Sequence, residues 1–163
     1  MRREPARRAL EHAFELGAER VGFRLAHYSI QSNHLHLIVE ALDRRALSRG
    51  MQGLTVRIAR ALNALWHRKG SVFADRYHAR ALRTPREVRN ALVYLLHNAR
   101  HHGIHVVGVD PYSSGVSFDG WKRNVGAPTR AAPLTRARTW LLNIGWRRHG
   151  LIGLDEKPGR RKP

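Results

Sequence analysis

The sequence predicts an α+β fold, an antiparallel sheet with helices on one face. Two short segments alternate apolar and polar residues on either side of a polar break, which is typical of a β-hairpin. Three other segments repeat apolar residues at every third or fourth position, which is typical of amphipathic helices. The 163 residues suffice for one domain with a core. We expect that domain to occupy residues 1–120 and a basic tail rich in Trp and Arg to occupy 121–163.

The first elements are a helix and the hairpin. Pro5 and the apolar residues that follow it at helical spacing predict a helix that ends near Gly17. Residues 23–31 alternate and contain Phe, Tyr and Ile, which favours a strand. A polar break at 31–33 then leads into a second alternating strand over 34–41, so the two strands should pair as a hairpin.

Two longer helices and a third strand are expected downstream. Apolar residues at intervals of three and four predict a helix over about 47–67. Residues 72–82 alternate again and predict a strand. Thr84 has the features of an N-cap, with Pro next and Glu three residues later, so a helix should run over about 85–102 until Gly103 ends it.

The C-terminal part is less regular. Residues 106–121 are rich in Gly, Pro, Ser and Asp and predict an ordered loop, and 126–133 reads as a linker. A short helix is expected over about 135–144, followed by a basic end over 157–163.

The charge of the chain indicates a polyanionic partner. Thirty Lys and Arg residues against twelve Asp and Glu give a formal net charge of +18, which favours nucleic acid ahead of an acidic membrane. The candidate nucleic-acid-binding side chains are Arg57, Arg60, Arg76, Arg80, Arg147 and Arg148. The alternative for the first four is an ordinary solvated face, and for the tail it is a helix that docks its Trp residues on the domain.

Composition also limits the metal chemistry and the location. The chain has no Cys, so neither disulfides nor thiolate metal sites are available, and a metal would need His, Asn, Asp or Glu. The basic residues 1–8 lead into charged residues, not into an apolar run, so we expect no secretory signal. No run approaches ~20 apolar residues. We therefore expect a cytoplasmic protein without a membrane span.

Two histidines on the second predicted strand are candidate metal ligands. Because side chains alternate along a strand, His34 and His36 share one face with Ile38, while the leucines between them point to the core. The two imidazoles are about 7 Å apart along the strand, a gap that side-chain tilt can close onto one ion. Imidazole is the commonest protein ligand of divalent metals near neutral pH. The alternative is a pair of half-buried strand histidines.

A tyrosine on the last long helix completes a candidate site. At ~100° per residue, Tyr94 lies nearly opposite the leucines of that helix and one turn before Asn98. A metal held by His34, His36 and the Asn98 side-chain oxygen would polarise a phosphodiester. The Tyr94 phenolate would then attack phosphorus and release a sugar 3′-hydroxyl. Another 3′-hydroxyl could reverse this step, because the adduct conserves the energy of the broken bond.

Three blocks of the sequence resemble a known family. SNHLHLIVE at 32–40 resembles the His-hydrophobic-His motif of the HUH single-tyrosine transposases. GSVFADRYH at 70–78 and YLLHN at 94–98 resemble two further blocks of the REP-associated tyrosine transposases within that family. The blocks occur in the family's order and spacing, and the resemblance covers roughly 20–103.

The resemblance implies a fold and an activity. It implies a ferredoxin-like HUH domain that cleaves and transfers single-stranded, often hairpin-forming, DNA through a 5′-phosphotyrosine link. It also implies His34 and His36 as ligands of Mg²⁺ or Mn²⁺, Tyr94 as the nucleophile, and Asn98 as the third ligand or a close helper. The family domain opens with a strand beside the His-x-His strand, and residues 1–10 contain no alternating apolar run. We therefore expect an N-terminally shortened sheet whose open edge is free, filled by another segment, or paired with a second chain in a homodimer.

Two other functions remain open at this point. The chain could be a catalytically inert DNA- or RNA-binding protein that keeps the fold, which its basic character supports equally. It could also be a metal-dependent nuclease that uses water as the nucleophile, with Tyr94 only structural.

Overall fold

The computed structural model describes residues 1–126 and 130–157. The chain forms, in order, α1 Glu4–Glu15, β1 Glu19–Arg20, β2 Phe23–Ile30, β3 Leu35–Ala41, α2 Arg44–Leu65, α3 Pro85–Leu96, α4 Asn98–His101 and α5 Trp140–Asn143. Two short 3-10 segments lie at Ser114–Ser117 and Gly145–His149. The expected α+β class is confirmed. Residues 127–129 of the expected linker and 158–163 of the expected basic end lie outside the described residues.

The strands form one antiparallel sheet in the order β1–β2–β3. The predicted hairpin is confirmed, with Tyr28 opposite Leu37 and Ser29 opposite His36. A register shift between Leu25 and His27 leaves Ala26 as an extra residue, which is a β-bulge. In the described residues β3 is the last strand of the sheet, and no strand lies beside its outer edge.

Helices cover both faces of this sheet, which corrects the expectation of helices on one face. On one face, α1 and α2 pack on a core that includes Phe23, Leu25 and Tyr28 of β2. On the other face, α3 packs on Ala26 and Ile38. The bulge turns Ala26 to the α3 face, where it and Ile38 form an apolar patch that a second layer must exclude from water.

The C-terminal segment completes the second layer. Trp121, Leu142, Trp146 and Ile152 are buried in the same core as α3. Trp146 is 1% exposed, and its indole N–H donates a hydrogen bond to the Leu142 carbonyl at 3.1 Å. The expected helix over 135–144 shortens to the single turn of α5, because the residues before it run extended beside the sheet, where the Thr135 N–H donates to the Leu25 carbonyl.

The other helix expectations are confirmed with shifted ends. Asp43 caps α2 by accepting from the Ala46 N–H, so this helix begins before its first apolar repeat. Thr84 forms the expected capping box at the start of α3. The helix expected over 85–102 is interrupted at His97, whose φ of −104° and ψ of 10° separate α3 from α4.

The strand expected over 72–82 is wrong. These residues form no regular element, and most of them are exposed. Val72 and Phe73 pack against the α1–α2 core, but no described strand lies beside the segment to accept its backbone hydrogen bonds. The alternation in the sequence is therefore not matched by an alternation of buried and exposed side chains in the structure.

A histidine of the hairpin gives the fold a measurable acid sensitivity. His27 Nδ1 lies 3.2 Å from the Ser114 hydroxyl, and burial lowers the His27 pKa to about 4, against a smaller opposing effect of Asp119. In the unfolded chain the imidazole titrates near 6.5. The folded protein therefore binds fewer protons than the unfolded chain between these values.

We expect this difference to lower the free energy of unfolding as the pH falls from about 6.5 to about 4, by about 3 kcal/mol in total. Urea denaturation of the wild type and His27→Gln at several pH values measures it. The difference in unfolding free energy between the two proteins should change across that window and stay constant above pH ~7. A constant difference down to pH ~4 would contradict the assigned burial effect.

Candidate metal and tyrosine site

The two histidines of β3 meet at their outer nitrogens. The strand points Ile38 into the α3-side core, and His34 and His36 therefore project from the same face. Their Nε2 atoms are 3.1 Å apart, and their ring centroids are 4.8 Å apart. The structure thus brings together the two side chains that the sequence singled out, with nitrogens converging on one point.

A neighbouring amide orients the first of these rings. The Asn33 side-chain oxygen lies 2.8 Å from His34 Nδ1. This contact suits an Nδ1–H donor and leaves the lone pair on Nε2, the atom that faces His36. Such a partner fixes the ring and its tautomer for a metal ligand.

Both imidazoles favour the neutral form. Burial lowers the pKa of His34, and the neighbouring His102 lowers it further. Burial, followed by the proximity of His34 and His102, lowers the His36 pKa to about 4. Neutral imidazole is the form that binds a metal ion, so the pair is prepared for a cation at neutral pH.

A third histidine that the sequence did not single out joins the pair. Ligand atoms of His34, His36 and His102 all lie within 4.8 Å of one another. His102 is the C-cap residue that follows α4, and the next residue, Gly103, adopts a φ of 73°, where the helix stops as expected. In the sequence, the two adjacent histidines just before that glycine were the one feature that could have indicated a third ligand. On an unbroken helix, however, His102 would point toward the leucine face and away from Tyr94.

The tyrosine of α3 faces this cluster. Tyr94 is half-buried, and its ring centroid lies 5.3 Å from that of His36 in an edge-to-face arrangement. The centroid of the His101 ring lies 5.7 Å from that of Tyr94. The structure therefore brings the Tyr94 ring and the histidine pair together.

Asn98 lies one residue beyond the interruption and has unsatisfied polar atoms. It is completely buried, and neither its side-chain oxygen nor its side-chain nitrogen has a hydrogen-bond partner among the described residues. A buried amide without partners costs about 1–3 kcal/mol. Both polar groups of the Asn98 side chain therefore have unused hydrogen-bonding capacity.

The donor set suits a divalent transition metal. Three imidazole nitrogens within a few ångströms match the ligands that Mn²⁺, Co²⁺ or Zn²⁺ accept, whereas Mg²⁺ prefers oxygen. The partnerless side-chain oxygen of Asn98, one helical turn after Tyr94, is a further candidate oxygen donor. The residues present therefore fit a metal ion.

Three of the six candidate arginines are engaged with their own fold. Arg80 forms an ion pair with Glu87 at 2.9 Å, and Arg147 forms one with Asp119 at 2.6 Å. The guanidinium of Arg148 lies 4.9 Å from the centre of the Trp140 ring. Phosphate binding by these residues would compete with those contacts.

The other three are differently placed. Arg57 donates to the carbonyl of Gly53 at 2.8 Å and has no carboxylate partner within the described ranges. Arg60 and Arg76 are exposed, and neither forms an ion pair in the part of the chain described. Among the described residues, no helix is both long and apolar enough to cross a membrane.

Comparison with known families adds one finding. A family model described as transposase IS200-like matches residues 1–95, which is more than half of the chain. The matched range contains the histidine pair and ends one residue after Tyr94. No curated protein and no solved structure is significantly similar to the chain.

Proposed function

The chain belongs to the IS200-like transposase family, and from that premise we propose that it cleaves and transfers single-stranded or hairpin DNA through a covalent link to Tyr94. Membership of this family indicates DNA cleavage or transposition in general, without the details of the mechanism. The observation that supports the finer proposal is the placement of Tyr94 against His36, within a cluster of three histidines. The position of Asn98 one helical turn after Tyr94 supports assignment to the REP-associated branch.

The proposed chemistry conserves bond energy. The Tyr94 oxygen, after losing its proton, attacks the phosphorus of a DNA phosphodiester. The bond from phosphorus to the 3′ oxygen breaks, and that oxygen leaves as a 3′-hydroxyl after taking up a proton. The 5′ side of the DNA remains on Tyr94 as a phosphotyrosine. Attack by a second 3′-hydroxyl restores a phosphodiester and frees the tyrosine.

The residues of the site would divide the work. His34, His36 and a third ligand, His102 or Asn98, would hold a divalent metal, Mn²⁺ or Mg²⁺ in the family, and imidazole ligands favour Mn²⁺ over Mg²⁺. A bound metal supplies Lewis-acid stabilisation of charge on the phosphate. The edge-to-face contact with His36 would hold the Tyr94 ring beside the metal ligands, which limits the geometries from which its oxygen can attack.

Asn98 and His102 are two candidates for the additional ligand, and their variants separate them. We expect His102→Ala to weaken Mn²⁺ binding by at least about tenfold, because it removes one of three converging nitrogens. Asn98→Ala should weaken it less if the amide only assists through a hydrogen bond. Isothermal titration with Mn²⁺ measures both, with His101→Ala as the matched control. Unchanged affinity in His102→Ala, with a large loss in Asn98→Ala, would assign the ligand to the amide instead.

The function itself is tested by trapping the protein on DNA. Labelled hairpin DNA incubated with the protein and Mn²⁺ should give a protein–DNA species that survives a denaturing gel. Substitution of Tyr94 and of the histidines provides the decisive variants.

A further inference from the structure

Three arginine side chains converge on the outer surface of α2. They surround an open depression formed by α2 and the short strand β1. Its lining residues are Arg20, Arg49, Gln52, Gly53, Val56 and Arg57. Arg20 and Arg49 are exposed and Arg57 is partly buried, so at least two of the three cations are accessible to a partner from solvent.

A glycine in the middle of α2 lets two of these cations approach each other. A Cβ at Gly53 would lie 2.5 Å from Arg20 Nη1 and 3.2 Å from Arg57 Nη1. Both guanidinium groups therefore lie over the same point of the helix surface. Arg57 is held there by its hydrogen bond to the Gly53 carbonyl.

These charges are not neutralised by the fold. None of Arg20, Arg49 and Arg57 forms an ion pair in the described ranges, and the neighbouring Glu19 pairs with Arg24 and Arg138 instead. Two guanidinium groups over one glycine repel each other. A group with two or more acceptor oxygens between them would relieve the repulsion and accept from both forks, which is the geometry that a phosphate offers.

The depression lies on the opposite side of the sheet from the histidines. Leu54 and Ile58 of α2 pack in the core that faces α1, whereas Ile38, beside the histidines, packs toward α3. A phosphate bound here therefore belongs to a different part of the substrate from the phosphate at Tyr94.

We propose that Arg20, Arg49 and Arg57 form a phosphate-binding site for the DNA backbone, outside the cleavage site. DNA as the source of the phosphate rests on the proposed function. The site adds affinity and holds the substrate, and it takes no part in bond breaking. Binding by Arg to backbone phosphates carries no base sequence information, so the contact should be tolerant of sequence.

Two double variants test whether DNA affinity depends on these particular arginines or only on the total positive charge of the protein. Arg20→Gln with Arg49→Gln removes two charges from the depression, and Arg44→Gln with Arg45→Gln removes two exposed charges from the same helix outside it. Fluorescence anisotropy with a labelled DNA hairpin measures the affinity at several salt concentrations. We expect the first pair to lose roughly tenfold in affinity and to lower the salt slope by about 1–2, and the control pair to change little.

Gly53→Glu tests the site without removing an arginine. The new carboxylate would stand between the guanidinium groups, four residues before Arg57, where an ion pair on a helix is favourable. We expect a protein that melts at or above the wild-type temperature and binds the hairpin less tightly. Wild-type affinity in this folded variant would overturn the proposal, as would equal losses in the two arginine pairs.

Two further measurements distinguish this phosphate-binding site from the proposed cleavage chemistry and from a site for a lipid headgroup. At saturating protein, Arg20→Gln with Arg49→Gln should form the covalent adduct as the wild type does. If the wild type forms none, the proposed chemistry fails while the affinity comparison still stands. Loss of binding to anionic phospholipid vesicles in that variant, with DNA affinity unchanged, would overturn the proposal in favour of a lipid headgroup.

Discussion

Tyr94→Phe is expected to abolish the covalent protein–DNA species, a loss of at least about 10³-fold. The substitution removes only the hydroxyl, and the ring can keep its edge-to-face contacts with His36 and His101. The fold and the DNA affinity should therefore be unchanged. The yield of the gel-stable species with labelled hairpin DNA and Mn²⁺ measures the effect.

Tyr77→Phe is the matched control, since Tyr77 is 42% exposed on the irregular segment before α3. It should form the adduct at the wild-type level. Persistence of the adduct in Tyr94→Phe would remove Tyr94 from the mechanism. DNA cleavage by the wild type without any adduct would indicate a nuclease that uses water, and tight binding without cleavage would indicate an inert nucleic-acid-binding protein.

Replacing His34 and His36 together by Ala is expected to weaken Mn²⁺ binding by at least about 100-fold and to abolish the adduct. The double variant removes two of the three converging imidazoles. DNA binding should remain strong and salt-sensitive, because Arg and Lys supply it. Isothermal titration with Mn²⁺ and anisotropy with the hairpin measure the two properties separately.

His12→Ala is the control for this experiment, because His12 is an exposed histidine of α1 that lies outside the cluster. It should retain both metal and DNA binding. A fall in DNA affinity as large as the fall in metal affinity would show that the histidine pair supports the fold or the DNA, not a metal ion.

The hairpin and the histidine pair could be predicted because they follow from local rules. Alternation with a period of two places His34 and His36 on one face, whatever packs on the strand. The capping box at Thr84 and the stop at Gly103 are equally local. Tyr94 could be placed opposite the leucines because the helix is regular up to Leu96.

The third histidine could not be predicted because it reaches the pair only past a break in the helix, and a long-range contact lies at that break. The His97 ring lies within hydrogen-bonding distance of the Leu154 carbonyl at 3.0 Å, 57 residues later in the chain. This contact accompanies the break between α3 and α4, after which His102 reaches the pair. Helical periodicity alone grouped Tyr94 with Asn98 and His101, and it gave no reason to expect the break.

The helix layers on both faces and the irregular segment 72–82 were also mispredicted, because both depend on contacts that local sequence does not specify. The bulge at Ala26 exposes an apolar surface on the second face, and bulges have no reliable local signature when no glycine marks them. Residues 72–82 alternate without a neighbouring strand, and pairing partners are a property of the whole fold. The unpartnered arginines of α2 likewise became distinct only when β1 brought Arg20 over Gly53.

The proposed function depends above all on the joining of the Tyr94 oxygen to a DNA phosphate. Protease digestion of the trapped complex, followed by mass spectrometry of the peptides, tests it directly. We expect a nucleotide 5′-phosphate on the peptide that contains Tyr94, and on no other tyrosine, only when a divalent metal is present. A phosphate on Tyr28, Tyr77 or Tyr112, or an adduct that forms equally well in EDTA, would contradict it.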